Sequence, residues 1–213
     1  MTLNKTMLLL IGIILAITSC TRVMVPPAVN LTDYQVVGII KFRCSEGGNL
    51  DAFVTQKFIE EITRDQKMMQ IMELGNEAAV LAEVQKPSLN IDAYKAIGEK
   101  YNLKSIIFGD IDISDIQPEI TIAPGFSFVG VRGIIEAKLV ARMIETENGA
   151  TVWTGSALDK REIGHISFAG GRFMFDAKDP ERAYGPLTET LVRNSTKDFR
   201  KTHYFRCGKK RCL

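Results

Sequence analysis

The chain is poor in the residues that most catalytic and metal chemistry needs. It has two histidines, His165 and His203, and four cysteines, Cys20, Cys44, Cys207 and Cys212. A zinc hydrolase needs several nitrogen or carboxylate ligands at set spacing, and two separated histidines do not supply them. There is no Gly-x-Ser-x-Gly elbow, P-loop or dinucleotide fingerprint. No internal repeat and no low-complexity segment appears. Only Met7–Ile17 forms a long apolar run, and it is short of the roughly 20 residues that a spanning helix needs. These absences point away from an enzyme, a resident cofactor, a metal centre and a multi-span membrane protein.

Export is the first thing the residues do indicate. Lys5 gives a positive start, Met7–Ile17 an apolar stretch, and Ile17-Thr18-Ser19-Cys20 closes it. A branched aliphatic, two small residues and a cysteine resemble the lipobox of bacterial lipoproteins. That resemblance implies removal of residues 1–19 and lipid attachment at Cys20. The alternatives are a cleaved signal with an incidental cysteine and an uncleaved anchor. Acyl chains hold a protein at about 0.8 kcal/mol per buried CH₂. Thr21, where Asp commonly marks inner-membrane retention, favours the outer membrane by analogy, with the folded part facing the periplasm.

Charge is uneven over the remaining 194 residues. Residues 20–196 carry 19 basic and 24 acidic side chains, and residues 197–213 carry seven and one. The body is therefore mildly acidic and the tail strongly basic. In the tail, Arg200, Lys201, Arg206, Lys209, Lys210 and Arg211 interleave with Phe199, Tyr204 and Phe205. On an exported protein this suits an anionic membrane surface rather than nucleic acid. A solvated terminus is the other reading. Cys207 and Cys212 enclose four residues and are expected to form a disulfide in an oxidising compartment, leaving Cys44 buried outside it. A zinc site there has only His203 nearby.

Residues 20–34, with Pro26-Pro27, read as a short tether spanning at most roughly 50 Å. Val36–Phe42 is an apolar run typical of a buried strand. Leu50–Arg64 is predicted as a helix with Val54, Phe58 and Ile62 inward, after a possible cap at Asn49. A strand over Met68–Leu74 and a helix over Glu77–Gln85 follow. Asn90 is expected to cap a helix over Ile91–Tyr101 that ends in a left-handed Asn102. After a strand at Lys104–Ile113 only strands follow. Glu119–Ile122 and Phe126–Val131 flank Pro124-Gly125. Gly133–Glu145 alternates, with Ile135, Ala137, Leu139, Ala141 and Met143 on one side and Glu136, Lys138 and Arg142 opposite, and turns at Asn148-Gly149 into Thr151–Ala157. Ile163–Phe168 and Arg172–Asp176 flank Gly170-Gly171. A helix from Pro180 to about Lys197 buries Leu187, Leu191 and Val192. The order predicts one α/β domain over residues 35–196, a mixed sheet with packed helices.

This order resembles the CsgG/LpoB group of bacterial lipoproteins. The resemblance is carried by the strand Val36–Phe42, the segment Ser105–Gly109, and the Asn148-Gly149 turn leading into Val152-Trp153-Thr154-Gly155. It implies an α/β sandwich like the anticodon-binding and TolB N-terminal domains. It also implies a non-enzymatic role in binding envelope protein partners, in assembly or maintenance of an envelope system, with homo-oligomers possible. Its alternative is an oligomeric secretion-channel subunit that inserts the hairpins at 119–131 and 163–176. The apolar arms of these hairpins are shorter than the about 9–11 residues of a membrane strand. The tether is too short for an activator that reaches the inner membrane. Trp153 and the hairpin aromatics are candidate contact residues, with core packing the other reading for Trp153. Asp110, Asp112 and Asp115 lack the Gly and closing Glu of a calcium loop and read as a solvated strand end. Cys44, beside Arg43, is either a reactive thiol or a small residue closing a strand.

Overall fold

The computed structural model describes residues 20–45, 49–66, 69–114, 117–122, 129–163, 167–169, 172–174, 180–207 and 210–212. The signal segment 1–19, His165, Asp115, Lys209 and the Pro124-Gly125 and Gly170-Gly171 turns lie outside them.

Seven strands form one mixed sheet. They are β2 (Val36–Ile40), β3 (Arg43–Cys44), β4 (Gln70–Gly75), β5 (Ser105–Ile113), β6 (Gln117–Ile122), β7 (Val129–Glu145) and β8 (Thr151–Ile163). β2 lies parallel between β4 and β5, and β5 runs antiparallel to the second half of β7. β7 also pairs with β6 and, over most of its length, with β8. Four helices pack on the sheet: α1 (Leu50–Thr63), α2 (Glu77–Glu83), α3 (Ile91–Tyr101) and α4 (Pro180–Ser195). The expected single α/β domain is therefore what the chain forms.

The two sheet faces feed two cores. On one face, α1 places Val54, Phe58 and Ile62 against Val37, Ile39, Ile107, Leu139 and Met143, and α4 adds Leu187, Leu191 and Val192. The four-residue spacing in α1 sets these side chains on one stripe. Phe58 lies 4.7 Å from Phe42 and 6.3 Å from Trp153 between ring centroids. On the other face, Val80 of α2 and Ile97 of α3 meet Ile40, Ile106 and Ile144. Gly98 lets α3 approach closely, since a Cβ there would lie 2.5 Å from the Thr146 side chain.

Local signals account for the start of α2 and both ends of α3. The Asn76 and Asn90 side chains accept from the amides of Ala79 and Ala93, satisfying N–H groups that the first turn leaves unpaired. Asn102 takes the left-handed conformation, φ 53° and ψ 50°. Asn49, in contrast, makes no side-chain cap hydrogen bond. The Asn148-Gly149 loop is wider than a two-residue turn. Thr146 folds inward to bond Leu103 O and Lys104 O, which draws the end of β7 toward the loop before β5.

The largest differences from expectation lie at the chain ends. Part of the expected tether is β1 (Cys20–Val25), and a 3-10 turn at Leu31–Tyr34 buries Leu31 completely. The expected tail contributes a 3-10 turn at Lys197–Phe199, β11 (Thr202–Cys207) and β12 (Lys210–Cys212). These strands make a separate sheet in the order β1-β11-β12. Phe199 is fully buried and packs edge-on against Trp153 at 4.6 Å, so it is a core residue and no surface aromatic. Gln66 fastens both ends to α1: it accepts from Leu31 N and donates to the carbonyls of Val29 and Phe199. The hairpin β9 (Ser167–Ala169) and β10 (Arg172–Met174) stands apart from both sheets.

Candidate functional site

The helix pairs cover the sheet unequally. Strand residues alternate in direction, so β7 sends Ile135, Ala137, Leu139, Ala141 and Met143 into the α1/α4 core, all buried. Its other residues, with those they oppose, form rows across three strands. Phe108, Arg142 and Thr154 make one row, Asp110, Val140 and Ser156 the next, and Asp112, Lys138 and Leu158 a third. Helices α2 and α3 cover only the start of β5 and the end of β7. Beyond them Asp112, Lys138, Arg142, Thr154, Ser156 and Leu158 are exposed and Val140 is half-buried, with Phe108 half-buried at the boundary against Tyr94 of α3.

This open face combines an apolar diagonal with balanced charge. Phe108, Val140 and Leu158 step across the strands, and Leu158 is 55% exposed. Around them opposite charges face one another. Asp112 opposes Lys138, and Lys160 Nζ is 2.6 Å from Glu136 Oε2. Arg43 binds Asp110 at 2.6 Å and Glu77 at 3.2 Å, and the Asp110 hydrogen bond raises its pKa further. Arg43 also borders an open groove of about 540 Å³ lined by Glu77, Leu81, Lys86 and Pro87. Tyr94 stacks on Phe108 at 6.0 Å, and burial raises its pKa. An apolar centre with a polar, charge-paired rim is the composition of protein interfaces.

The sequence-predicted residues scatter differently. Trp153 is 6% exposed and donates to Asp198 at 3.1 Å, so it belongs to the core. Asp110 and Asp112 lie on the open face, Asp110 already bound by Arg43. No group of three metal-ligating side chains occurs among the described residues. Cys44 is half-buried in β3, and His203 is exposed in β11. Arg200 turns inward to Glu61 and the Arg193 carbonyl, while Lys201 is exposed. Arg206, Lys210 and Arg211 occupy strand positions in β11 and β12. Cys207 stands opposite Lys210, and Cys212 opposite Phe205. Sequence reading found the outward Glu136, Lys138 and Arg142, but missed Leu158 and Arg43. Their significance depends on which strands the helices leave bare.

No protein-family model matches the chain. No curated protein matches it. Among solved structures, the PelC dodecamer from Paraburkholderia phytofirmans is similar at 8% identity and TM-score 0.43, over 84% of this chain and 96% of that one. A lipoprotein from Neisseria meningitidis is similar at 11% identity and TM-score 0.38, over 60% and 83%. The LpoB C-terminal domain from Salmonella enterica is similar at 7% identity and TM-score 0.34, over 63% and 84%. Likeness at this level assigns no activity to the chain.

Proposed function

We propose that the protein is a lipid-anchored envelope protein, held at Cys20 in the outer membrane, whose α/β domain binds a protein partner rather than catalysing a reaction. The observation that supports this reading is the open face of β5, β7 and β8. Its apolar diagonal, Phe108, Val140 and Leu158, sits among charges of both signs, of which Lys160–Glu136 and Arg43–Asp110 are ion-paired. Such a face gains by covering exposed Leu158. The partner belongs to assembly or maintenance of an envelope system and is either a different protein or a second copy. The secretion-channel alternative has less support. Its hairpins at 119–131 and 163–176 lie partly outside the described residues, and the apolar arms read from the sequence are shorter than the about 9–11 residues of a membrane strand. No helix among the described residues is long and apolar enough to cross a membrane, a finding that says nothing of a β-barrel.

Photo-crosslinking side chains at Ser156 and Leu158 test the reading, with exposed Glu189 on α4 as control. Adducts formed in cells from the first two positions and absent at Glu189 are the expected result. Adduct mass separates a second copy from a different partner. Equal labelling at all three positions, or none, would reject the open face as the binding site.

A further inference from the structure

The pairing of the chain ends gives the basic tail a location. β1 and β11 run antiparallel with Cys20 opposite Cys207, Thr21 opposite Arg206 and Arg22 opposite Phe205. β12 then sets Lys210 opposite Cys207 and Arg211 opposite Arg206. The lipid-attachment position and four basic positions, Arg22, Arg206, Lys210 and Arg211, therefore share one end of a three-stranded sheet. Each basic position lies within two residues of Cys20 in register, about 7 Å along a strand. That is shorter than the roughly 10 Å over which charges act at moderate salt. The described side chains add a second observation. Arg22 and Met24 are exposed on β1, and Met24, 57% exposed, is the most exposed large hydrophobic residue among those described. Exposed cationic and apolar side chains on one strand match the headgroup layer of a bilayer, which accepts both.

We propose that this end of the β1-β11-β12 sheet is a second membrane contact, which binds the phosphate-bearing headgroups of an anionic bilayer beside the lipid anchor. β1 begins at Cys20 itself, so no free length of chain separates the anchor from folded structure. An acyl chain on Cys20 presents the basic end to the headgroups. The charge division strengthens the orientation. Of the basic residues in 197–213, Arg206, Lys210 and Arg211 lie at this end, while residues 20–196 carry a net −5. An anionic surface attracts the sheet end and repels the body, turning the domain away from the bilayer.

The inference rests on the lipid-anchor reading for its setting, and its test does not require the lipid. The chain of residues 20–213 with Cys20→Ser retains every described element and loses the acylation site. It is centrifuged with vesicles of pure phosphatidylglycerol or pure phosphatidylcholine. Co-sedimentation with phosphatidylglycerol alone, falling as salt rises, is the expected result. Reversing three charges in the R206E/K210E/R211E variant is expected to weaken partition by roughly 100-fold or more. The R206K/R211K variant preserves charge and is expected to partition like the parent. Emission of Trp153, the single tryptophan, reports whether each variant is folded. Equal sedimentation with both lipids, or unchanged partition of the folded reversal variant, would overturn the proposal. Mass spectrometry of membrane-extracted protein asks separately whether Cys20 carries lipid, so the two readings fail independently.

Discussion

One face of the sheet is closed by α1 and α4, and the other is closed only at one end by α2 and α3. The strands are the same, so the difference lies in what each alternate residue meets. From β7 the inward series is wholly apolar and buried, while the outward series mixes Glu136, Lys138 and Arg142 with half-buried Ile134 and Val140 and, under α2 and α3, buried Ile144. A covered face contributes stability through burial. An open face contributes little, which leaves its residues available for recognition.

The covered face should show the largest response. Phe58→Ala removes a fully buried ring between Phe42 and Trp153. A loss of about 3–5 kcal/mol is expected from urea unfolding. A loss below 1 kcal/mol would mean that the two faces share stability and would break the contrast. Gln66→Ala comes next, since it deletes three hydrogen bonds that tie Val29, Leu31 and Phe199 to the end of α1. About 1–3 kcal/mol is expected, with faster hydrogen exchange at the Leu31 amide. Leu158→Ser on the open face should change stability by less than about 0.5 kcal/mol, as exposed substitutions generally do. The same variant should lose the crosslinked adduct formed from Ser156. Retention of that adduct would mean that the apolar diagonal does not drive binding.

The smallest effect concerns pH at the α2/α3 end. Lys100 and Tyr101 both bond the Glu83 carboxylate, at 2.7 and 2.6 Å, and hold its pKa below the ordinary 4.5. The folded state thus favours charged Glu83. This contribution is present above the unfolded pKa and is lost as pH falls through the lowered folded value. An NMR titration of the Glu83 side chain should show a midpoint below the ordinary value, and Lys100→Ala should move it upward. A midpoint unchanged by Lys100→Ala would assign the shift to another source.

Much of this was legible in the chain. The stripe of Val54, Phe58 and Ile62 announced the buried side of α1, and Leu187, Leu191 and Val192 that of α4. Asn90 and Asn102 marked both ends of α3. The inward alternation of β7 was equally plain. The site was only half visible, because outward charge at Lys138 and Arg142 looks the same whether or not a helix lies above it. Arg43 appeared as the neighbour of a cysteine, and only the parallel pairing of β3 with β5 sets it against Asp110. Phe199 and Arg200 looked like surface residues in a basic run. The core claims the first, and Glu61 with the Arg193 carbonyl holds the second.

Sequence by itself determined the elements between Val36 and Ser195, the covered faces and the concentration of positive charge near the end of the chain. These follow from periodicity, capping and composition, which act over a few residues. Tertiary structure alone decided that Cys20 faces Cys207 and that basic strand positions surround it. Pairing between strands at opposite ends of a chain depends on backbone hydrogen bonds that any residue but proline can supply. Such pairing leaves little trace in local pattern. It exists here because Leu31, Gln66 and Phe199 hold both chain ends against the same helix.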